Sequence, residues 1–358
     1  MTQLSWRTEK DAFFEEAHTR QRLVFVLFAC PREKRTTPIL RGENPALVRL
    51  LTERFVPVHI TSLKDIDLGL FRFDYDQQLL GLVLTPGGQT LARWGGDDLS
   101  ARSLIALLER VKFVEASVFK AQLPRTIAQK FPAFAQTKRA NEACYHCHYA
   151  HDAELAQQRH AGTFRKLALY RYPPPSVLGI TLDERSRIVA LRPGSPAARA
   201  GLKKGEVLVR LGDQPIYTAA DLSFALDALP ENTRSISLNG KRLTLSPHWR
   251  VYDISARPSQ GAIPPIFGFW EEPILGSKTL ALKVSALFPG EKWKASQGGL
   301  KLGDVIVAVD GKTLQQISPR QFHTWLRLNK DVGQKLRLTV LRDSKRLMLT
   351  LPCLDIAF

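Results

Sequence analysis

Residues 200–211 read AGLKKGEVLVRL, and this stretch decides the fold of the C-terminal half because the chain repeats it from Gly298 onward. The second copy, residues 298–309, reads GGLKLGDVIVAV. Both copies contain a glycine turn, then a turn with a basic residue and a glycine, then a strand rich in Val, Leu and Ile. Self-similarity of this kind predicts two copies of one small domain.

Proline-rich segments mark the predicted domain boundaries in this half. The first is the YPPP stretch at residues 172–175, and the second is residues 258–265, which contain three prolines around Gly261. Proline and glycine are the strongest local interrupters of regular structure. The sequence therefore predicts one domain over residues 171–250 and another over residues 260–352.

A short glycine motif precedes each repeat. It reads Leu178-Gly179-Ile180 in the first copy and Phe267-Gly268-Phe269 in the second. With these motifs the repeats resemble bacterial PDZ domains of the type appended to periplasmic serine proteases. The resemblance implies two α+β domains built as small β-barrels, each binding a protein or peptide C-terminus.

The glycine of each motif would let successive backbone N–H groups approach a terminal carboxylate. The peptide would then add as a strand beside an edge strand and a helix. The apolar neighbours of the glycines are predicted to form the pocket for the last side chain; they are Leu178, Ile180, Phe267 and Phe269. In the alternative interpretation, another part of this protein fills one or both grooves.

Residues 1–112 alternate helical and strand patterns. The predicted order is a helix at 11–20, a buried strand at 23–29, a helix at 45–54, a strand at 56–61, a hairpin at 79–84 and 90–94, and a helix from Leu99. This order resembles the α/β thioredoxin-like fold, in which a crossover helix joins parallel strands and an antiparallel pair follows.

Two residues of this segment depart from the dithiol pattern of that family. Cys30 stands alone where a Cys-x-x-Cys pair would follow the first strand, and Leu79 stands where the family has a cis-proline. A dithiol reductase needs a resolving thiol near the attacking one. The sequence therefore argues against disulfide reductase activity, and it leaves Cys30 as either an inert thiol or a monothiol redox residue.

Residues 113–170 form a predicted helical connector that is basic and rich in histidine. Its centre, residues 144–148, reads CYHCH, which has the spacing of c-type haem attachment. Cys144 and Cys147 would bind the haem vinyl groups, and His148 would be the proximal axial ligand. His160, further along the connector, is the predicted distal ligand.

Two other interpretations of the connector stay open. In one, a structural zinc ion is held by Cys144, Cys147, His151 and His160, because four Cys and His side chains can form a closed tetrahedral site. In the other, the segment binds no cofactor.

The whole chain, read as thioredoxin-like domain, CYHCH motif and two PDZ repeats, resembles the bacterial thioredoxin/PDZ (seleno)protein family. The stretches GENP at residues 42–45 and FDYD at residues 73–76 also carry this resemblance. The resemblance implies an exported, redox-linked protein.

The composition restricts the partners of the chain. It has a formal net charge of +17, but its charges are spread along the chain without a basic patch interleaved with aromatic residues. This pattern argues against nucleic-acid binding and favours a basic surface that faces an anionic membrane or acidic partners. The longest apolar run, residues 23–30, is too short to span a bilayer.

The sequence gives two conflicting signals about location. The first residues, 1–6, lack the basic and then apolar pattern of a secretory signal, which favours the cytoplasm. The haem motif favours the periplasm or another exported location, because thioether attachment normally takes place outside the cytoplasm.

The predicted function is an extracytoplasmic, redox-linked adaptor with haem c and a redox partner. Its PDZ domains would bind peptide C-termini without cleaving them, since the sequence has no Gly-x-Ser-Gly segment and no upstream catalytic set. One alternative is a non-redox PDZ scaffold with structural zinc or no metal. Another is a monothiol oxidoreductase that uses Cys30.

Overall fold

A computed structural model describes residues 4–8, 12–29, 33–77, 79–96, 99–119, 125–142 and 145–356 of the chain. Two of the predicted site residues, Cys30 and Cys144, lie outside these ranges. The chain divides into two compact units, Met1–Tyr252 and Asp253–Phe358. None of the helices within the described ranges combines the length and the apolar character that a membrane span requires.

A four-stranded sheet with flanking helices begins the first unit. Its strands are β1 (Leu23–Ala29), β2 (Phe55–Ile60), β3 (Leu79–Leu84) and β4 (Thr90–Trp94), and its helices are α1 (Phe13–Thr19), α2 (Thr37–Leu40), α3 (Pro45–Arg54) and α4 (Ala101–Arg110). The strands lie in the order β2-β1-β3-β4. β1 is parallel to β2 and antiparallel to β3, and β3 and β4 form the predicted hairpin.

Every residue of β1 is buried, because helices cover both faces of this sheet. Val24 and Val26 point into a core that includes residues of α1, whereas Phe25 and Leu27 point into a second core with residues of α3 and α4. Successive side chains of a strand point to opposite faces of the sheet. A strand buried on both faces therefore reads as one uninterrupted apolar run.

The connector packs onto the first of these two cores. It contains α5 (Ile127–Lys130), α6 (Tyr149–His160) and short 3-10 segments at 132–136, 138–141 and 166–169. Ile127, Phe134, Tyr145 and Tyr149 are buried in the same cluster as Val24. The N-terminal sheet thus supplies the apolar surroundings that this short segment needs.

The first repeat completes the first unit. Its strands are β5 (Ile180–Leu182), β6 (Ile188–Leu191), β7 (Arg210–Leu211), β8 (Gln214–Pro215), β9 (Ser235–Leu238) and β10 (Lys241–Thr244), and its helices are α7 (Pro196–Arg199) and α8 (Ala219–Asp227). β5 pairs with β6, and the other strands lie in the order β10-β9-β7-β8. Leu178 and Ile180 are buried in the core of this repeat together with Leu222 and Leu226 of α8.

The second repeat forms one antiparallel sheet in the second unit. Its strands are β11 (Phe269–Pro273), β12 (Leu282–Leu287), β13 (Val305–Val309), β14 (Lys335–Arg342) and β15 (Lys345–Pro352), and its helices are α9 (Glu291–Gln297) and α10 (Pro319–Asn329). The strands lie in the order β11-β12-β13-β14-β15. Phe267, Phe269 and Phe322 of α10 are buried in its core.

Candidate functional site

The second repeat leaves an edge of its sheet next to a helix. β11 is the terminal strand of that sheet, and among the described strands it pairs only with β12. α10 packs against β11. An extended peptide can add as a further strand in a groove of this kind, between a strand edge and a helix.

The apolar residues at this groove differ in their exposure. Phe267 and Phe269 are each only 1 % exposed and belong to the core of the repeat. Trp270 is 52 % exposed, and its ring centroid lies 5.8 Å from that of His323 on α10 and 5.6 Å from that of Phe288. The accessible apolar surface at the groove therefore comes from Trp270, which is not one of the predicted pocket residues.

Gly268 adopts a backbone conformation that favours glycine. Its φ is +64°, and a Cβ added there would lie 2.5 Å from the Trp293 ring. Its carbonyl oxygen accepts hydrogen bonds from the Phe288 N–H at 2.8 Å and from Gln297 Nε2 at 2.6 Å. This glycine therefore has a structural role in addition to the predicted approach of a carboxylate.

A buried polar pair joins the two walls of the second groove. His323 Nε2 of α10 lies 2.9 Å from Glu271 Oε2 of β11, and both side chains are buried. The other carboxylate oxygen of Glu271, Oε1, has no hydrogen-bond partner among the described residues. Glu271 Oε1 is therefore an unused acceptor beneath the groove surface, and an unsatisfied buried carboxylate oxygen is costly.

The first groove has the same glycine geometry. Gly179 has a φ of +83°, and a Cβ there would lie 2.1 Å from the Cβ of Ser195. The Arg192 N–H donates to the Gly179 carbonyl oxygen at 2.8 Å. Leu178 and Ile180, the predicted pocket residues, are buried in the core.

The helix of the first repeat is anchored to the N-terminal sheet through Arg93 of β4. The Arg93 N–H donates to Asp221 Oδ1 at 2.9 Å, and Thr218 Oγ1 donates to the Arg93 carbonyl oxygen at 2.6 Å. The guanidinium lies 3.5 Å from the Asp221 carboxylate and also covers the ring of Phe224. Burial raises the pKa of Asp221 to about 6, although the charge of Arg93 opposes this shift.

Arg110, the last residue of α4, bridges the two walls of the first groove at one end. Its guanidinium donates to the carbonyl oxygens of Arg185 at 3.0 Å and Glu184 at 3.4 Å, in the turn that follows β5. It also donates to the carbonyl oxygen of Tyr217, just before α8. The N-terminal domain thus holds both walls of this groove.

The structure describes Cys147 and His148 of the CYHCH motif, at the start of α6. His148 is the residue just before α6, and its Nδ1 lies 2.9 Å from Asp152 Oδ2. Burial, followed by the nearby Arg139 charge, lowers the pKa of His148 to about 4. A neutral imidazole held through Nδ1 has its Nε2 free of that bond, which is the usual arrangement of a metal-bound histidine.

His148 and His160 are not brought together. α6 runs without interruption from Tyr149 to His160, so its rise places the two histidines about 18 Å apart. For the same reason, His160 is not gathered with Cys147 and His151 into the predicted zinc set. A different group of ligand atoms does converge, since Asp74, Asp76 and His151 each offer one within 4.8 Å of the others.

Comparisons with known proteins identify the two repeats. Two family models, each described as a PDZ domain, match residues 187–235 and 294–352. The comparison with curated proteins found no match.

Among solved structures, the chain is similar to the HtrA-type protease AlgW with tripeptide, at 24 % identity over 26 % of this chain and 32 % of that one, with a TM-score of 0.22. It is also similar to the HtrA-type protease AlgW with decapeptide, at 24 % identity over 26 % of this chain and 29 % of that one, with a TM-score of 0.21. The chain thus spans less than a third of the length of these proteases. From the family models, the chain contains two PDZ domains, one in the unit Met1–Tyr252 and the other in the unit Asp253–Phe358.

Proposed function

We propose that the chain is a peptide-binding adaptor whose second PDZ domain captures the C-terminus of a partner protein without cleaving it. The observation that carries this proposal is the open edge of β11 beside α10. A peptide added there gains main-chain hydrogen bonds from the strand and side-chain contacts from the helix. Trp270 supplies accessible apolar surface, and the Glu271 carboxylate is buried between the strand and the helix.

The first PDZ domain has a different role in this proposal. Arg93 and Arg110 of the N-terminal domain hold α8 and the turn after β5. These contacts favour the interpretation in which the first PDZ domain is engaged within its own chain. It then serves as a structural module, and the second PDZ domain serves as the receptor.

Binding of fluorescent peptides to the full chain tests this division of roles. Peptides with a free, apolar C-terminus should bind with modest affinity, and their amidated versions should bind more weakly, because the terminal carboxylate is lost. Hydrogen exchange should show peptide-induced protection of the β11 amides and little change in β5. Equal binding of free and amidated peptides, or protection at β5 instead, would contradict the proposal.

The adaptor is also redox-linked in this proposal. The sheet order β2-β1-β3-β4, with one parallel pair followed by an antiparallel hairpin, supports a thioredoxin-like N-terminal domain. Cys144 and Cys147 would hold haem c, and His148 would be its proximal ligand. The neutral imidazole held by Asp152 fits this role. When bound, the haem supplies one-electron chemistry.

A redox partner and an extracytoplasmic location follow from the haem part of the proposal, since haem c is normally attached outside the cytoplasm. The contact with an anionic membrane surface or acidic partners rests on the net charge of +17 alone.

The absorption spectrum of protein made with export and haem c maturation tests the redox part. The Soret band should survive denaturation and acid-acetone extraction, and His148→Ala should change the spectrum without releasing the haem. Complete extraction would favour the alternative of a non-redox scaffold with zinc or no metal. Insulin reduction that disappears in Cys30→Ser would favour the monothiol alternative instead.

A further inference from the structure

A buried histidine faces two carboxylates beside the CYHCH motif. His151, in the first turn of α6, is 4 % exposed, and its Nε2 lies 3.4 Å from Asp74 Oδ1. Asp76, two residues beyond Asp74, is also buried. The three side chains come from two parts of the chain, and the packing of α6 against the loop after β2 brings them together.

The imidazole of His151 is oriented but not satisfied. Its Nε2 is buried and has no hydrogen-bond partner among the described residues, since 3.4 Å to Asp74 is too long or poorly aligned for one. Its Nδ1 faces Glu154 Oε2 at 3.8 Å, and Arg171 holds that carboxylate at 2.7 Å. A carboxylate behind the second ring nitrogen is the usual support of a metal-bound histidine.

We propose that Asp74, Asp76 and His151 bind a divalent transition-metal ion such as Zn²⁺. Their ligand atoms lie within 4.8 Å of one another, so an ion at their centre is at most about 2.8 Å from each. Shifts of the ligand atoms by about 0.6–0.8 Å reach the 2.0–2.2 Å that zinc requires. Two carboxylates and one imidazole suit Zn²⁺, Co²⁺ or Mn²⁺.

This metal site is independent of the haem proposal, because it uses neither cysteine nor His148. It also differs from the zinc set expected from the sequence, which combined His151 with Cys144, Cys147 and His160. The competing arrangement is a buried ion pair between a protonated His151 and Asp74, with no metal. The two arrangements differ in one measurable property, which is the binding of metal ions by the purified chain.

Cobalt titration of the full chain distinguishes these arrangements. The protein is made without haem maturation and stripped with a chelator. It carries Cys144→Ser and Cys147→Ser, because Cys147 lies close to Tyr75, the residue between Asp74 and Asp76. One equivalent of Co²⁺ should bind at micromolar concentration or below. It should give weak visible bands without thiolate charge transfer, and Zn²⁺ should displace it.

His151→Gln should weaken Co²⁺ binding at least 30-fold, whereas His248→Gln, at an exposed histidine of the same unit, should leave it unchanged. Zn²⁺ should raise the thermal unfolding midpoint of the parent protein and not that of His151→Gln. If that variant does not fold, Asp74→Asn takes its place.

Three outcomes would overturn the proposal. In the first, Co²⁺ does not bind stoichiometrically. In the second, the His151 or Asp74 variant binds Co²⁺ as tightly as the parent protein. In the third, only the chain with its native cysteines binds Co²⁺, and the complex shows a thiolate charge-transfer band. The first outcome would assign His151 to the buried ion pair. The third would assign the metal to the CYHCH segment.

Discussion

The two PDZ domains share a backbone plan but differ at the positions that face their grooves. The third residue of β11 in the second domain is Glu271, whereas the third residue of β5 in the first domain is Leu182. Ser318 caps the start of α10 and Thr218 caps the start of α8. Five residues after these caps, the second domain has His323 and the first has Ser223. The second groove thus contains a buried polar pair, and the first lacks the residues for one.

The two PDZ helices, α8 and α10, also have different surroundings. α8 of the first domain is tied to β4 by Asp221 and Thr218, and Arg110 closes one end of its groove. Two copies of one domain can therefore keep the same backbone plan while their grooves have different surroundings. Both β5 and β11 pair with one described strand only, but the helix beside β5 is held by the N-terminal domain and the helix beside β11 carries the buried polar pair.

The largest effect is expected where the first domain is anchored. Asp221→Ala would leave the Arg93 guanidinium buried without its carboxylate, which should lower the free energy of unfolding by about 3–5 kcal/mol. Denaturant unfolding measures this loss. Asp213→Ala, at a fully exposed carboxylate of the same domain, should cost less than about 0.5 kcal/mol.

Removal of both charges at the same site tests this prediction further. The double variant Arg93→Met/Asp221→Leu removes both charges and should be more stable than Asp221→Ala. A small loss in Asp221→Ala, similar to that in Asp213→Ala, would show that the first domain is not held by this pair.

The next effect concerns the glycine that both domains share. Gly268→Ala introduces a Cβ 2.5 Å from the Trp293 ring at a φ of +64°, so the free energy of unfolding of the second unit should fall by about 2–3 kcal/mol. Gly276→Ala, at a positive φ with open space around it, should cost about 1 kcal/mol. Equal costs would show that the Trp293 contact relaxes freely.

A smaller effect is expected on the specificity of the second groove. A peptide that runs antiparallel to β11 from Gly268 places its antepenultimate side chain beside Glu271, because alternate side chains face the same side. Rotation of the buried Glu271 side chain would bring its unused Oε1 to the hydroxyl of a Thr at that position, so Thr should bind about tenfold more tightly than Val.

Replacing the pair tests whether Glu271 sets this preference. Glu271→Leu, and the double variant Glu271→Leu/His323→Ser that copies the first groove, should lose the discrimination between Thr and Val. Glu272→Leu, at an exposed neighbour on β11, should keep it. Affinity measurements that show no preference in the parent protein would exclude Glu271 as a determinant.

An effect of similar size is expected at the closed end of the first groove. Arg110→Met removes donors to Glu184, Arg185 and Tyr217, and should destabilise the first unit by about 1–2 kcal/mol. Arg102→Met, on the same helix but with an exposed ion pair, should cost less than about 0.5 kcal/mol. Hydrogen exchange in the turn after β5 should increase only in the Arg110 variant.

Local structure in the N-terminal domain could be predicted because its signals are local. The helix at 45–54 and the hairpin strands at 79–84 and 90–94 have the bounds expected from the sequence. Pro45 and the Asn44 side chain, which accepts from the Leu47 N–H, start the helix. The turn residues between the strands end both of them.

Contacts between distant residues could not be predicted in this way. The bond from Arg93 to Asp221 spans 128 positions, and neither residue interrupts the periodicity around it. The exposure of Trp270 and the burial of Phe267 and Phe269 likewise depend on which face of β11 meets the core. The uninterrupted α6, by contrast, could have been predicted from the sequence, because residues 149–160 contain no proline or glycine.

The burial of the connector aromatics also bears on how this protein can be dissected in the laboratory. Phe134, Tyr145 and Tyr149 complete the core around Val24 and Val26. A recombinant fragment that ends at residue 112 would expose one face of its sheet to water and should aggregate. A useful fragment must continue at least through α6, so the CYHCH segment and the N-terminal domain would be expressed, purified and studied as one piece.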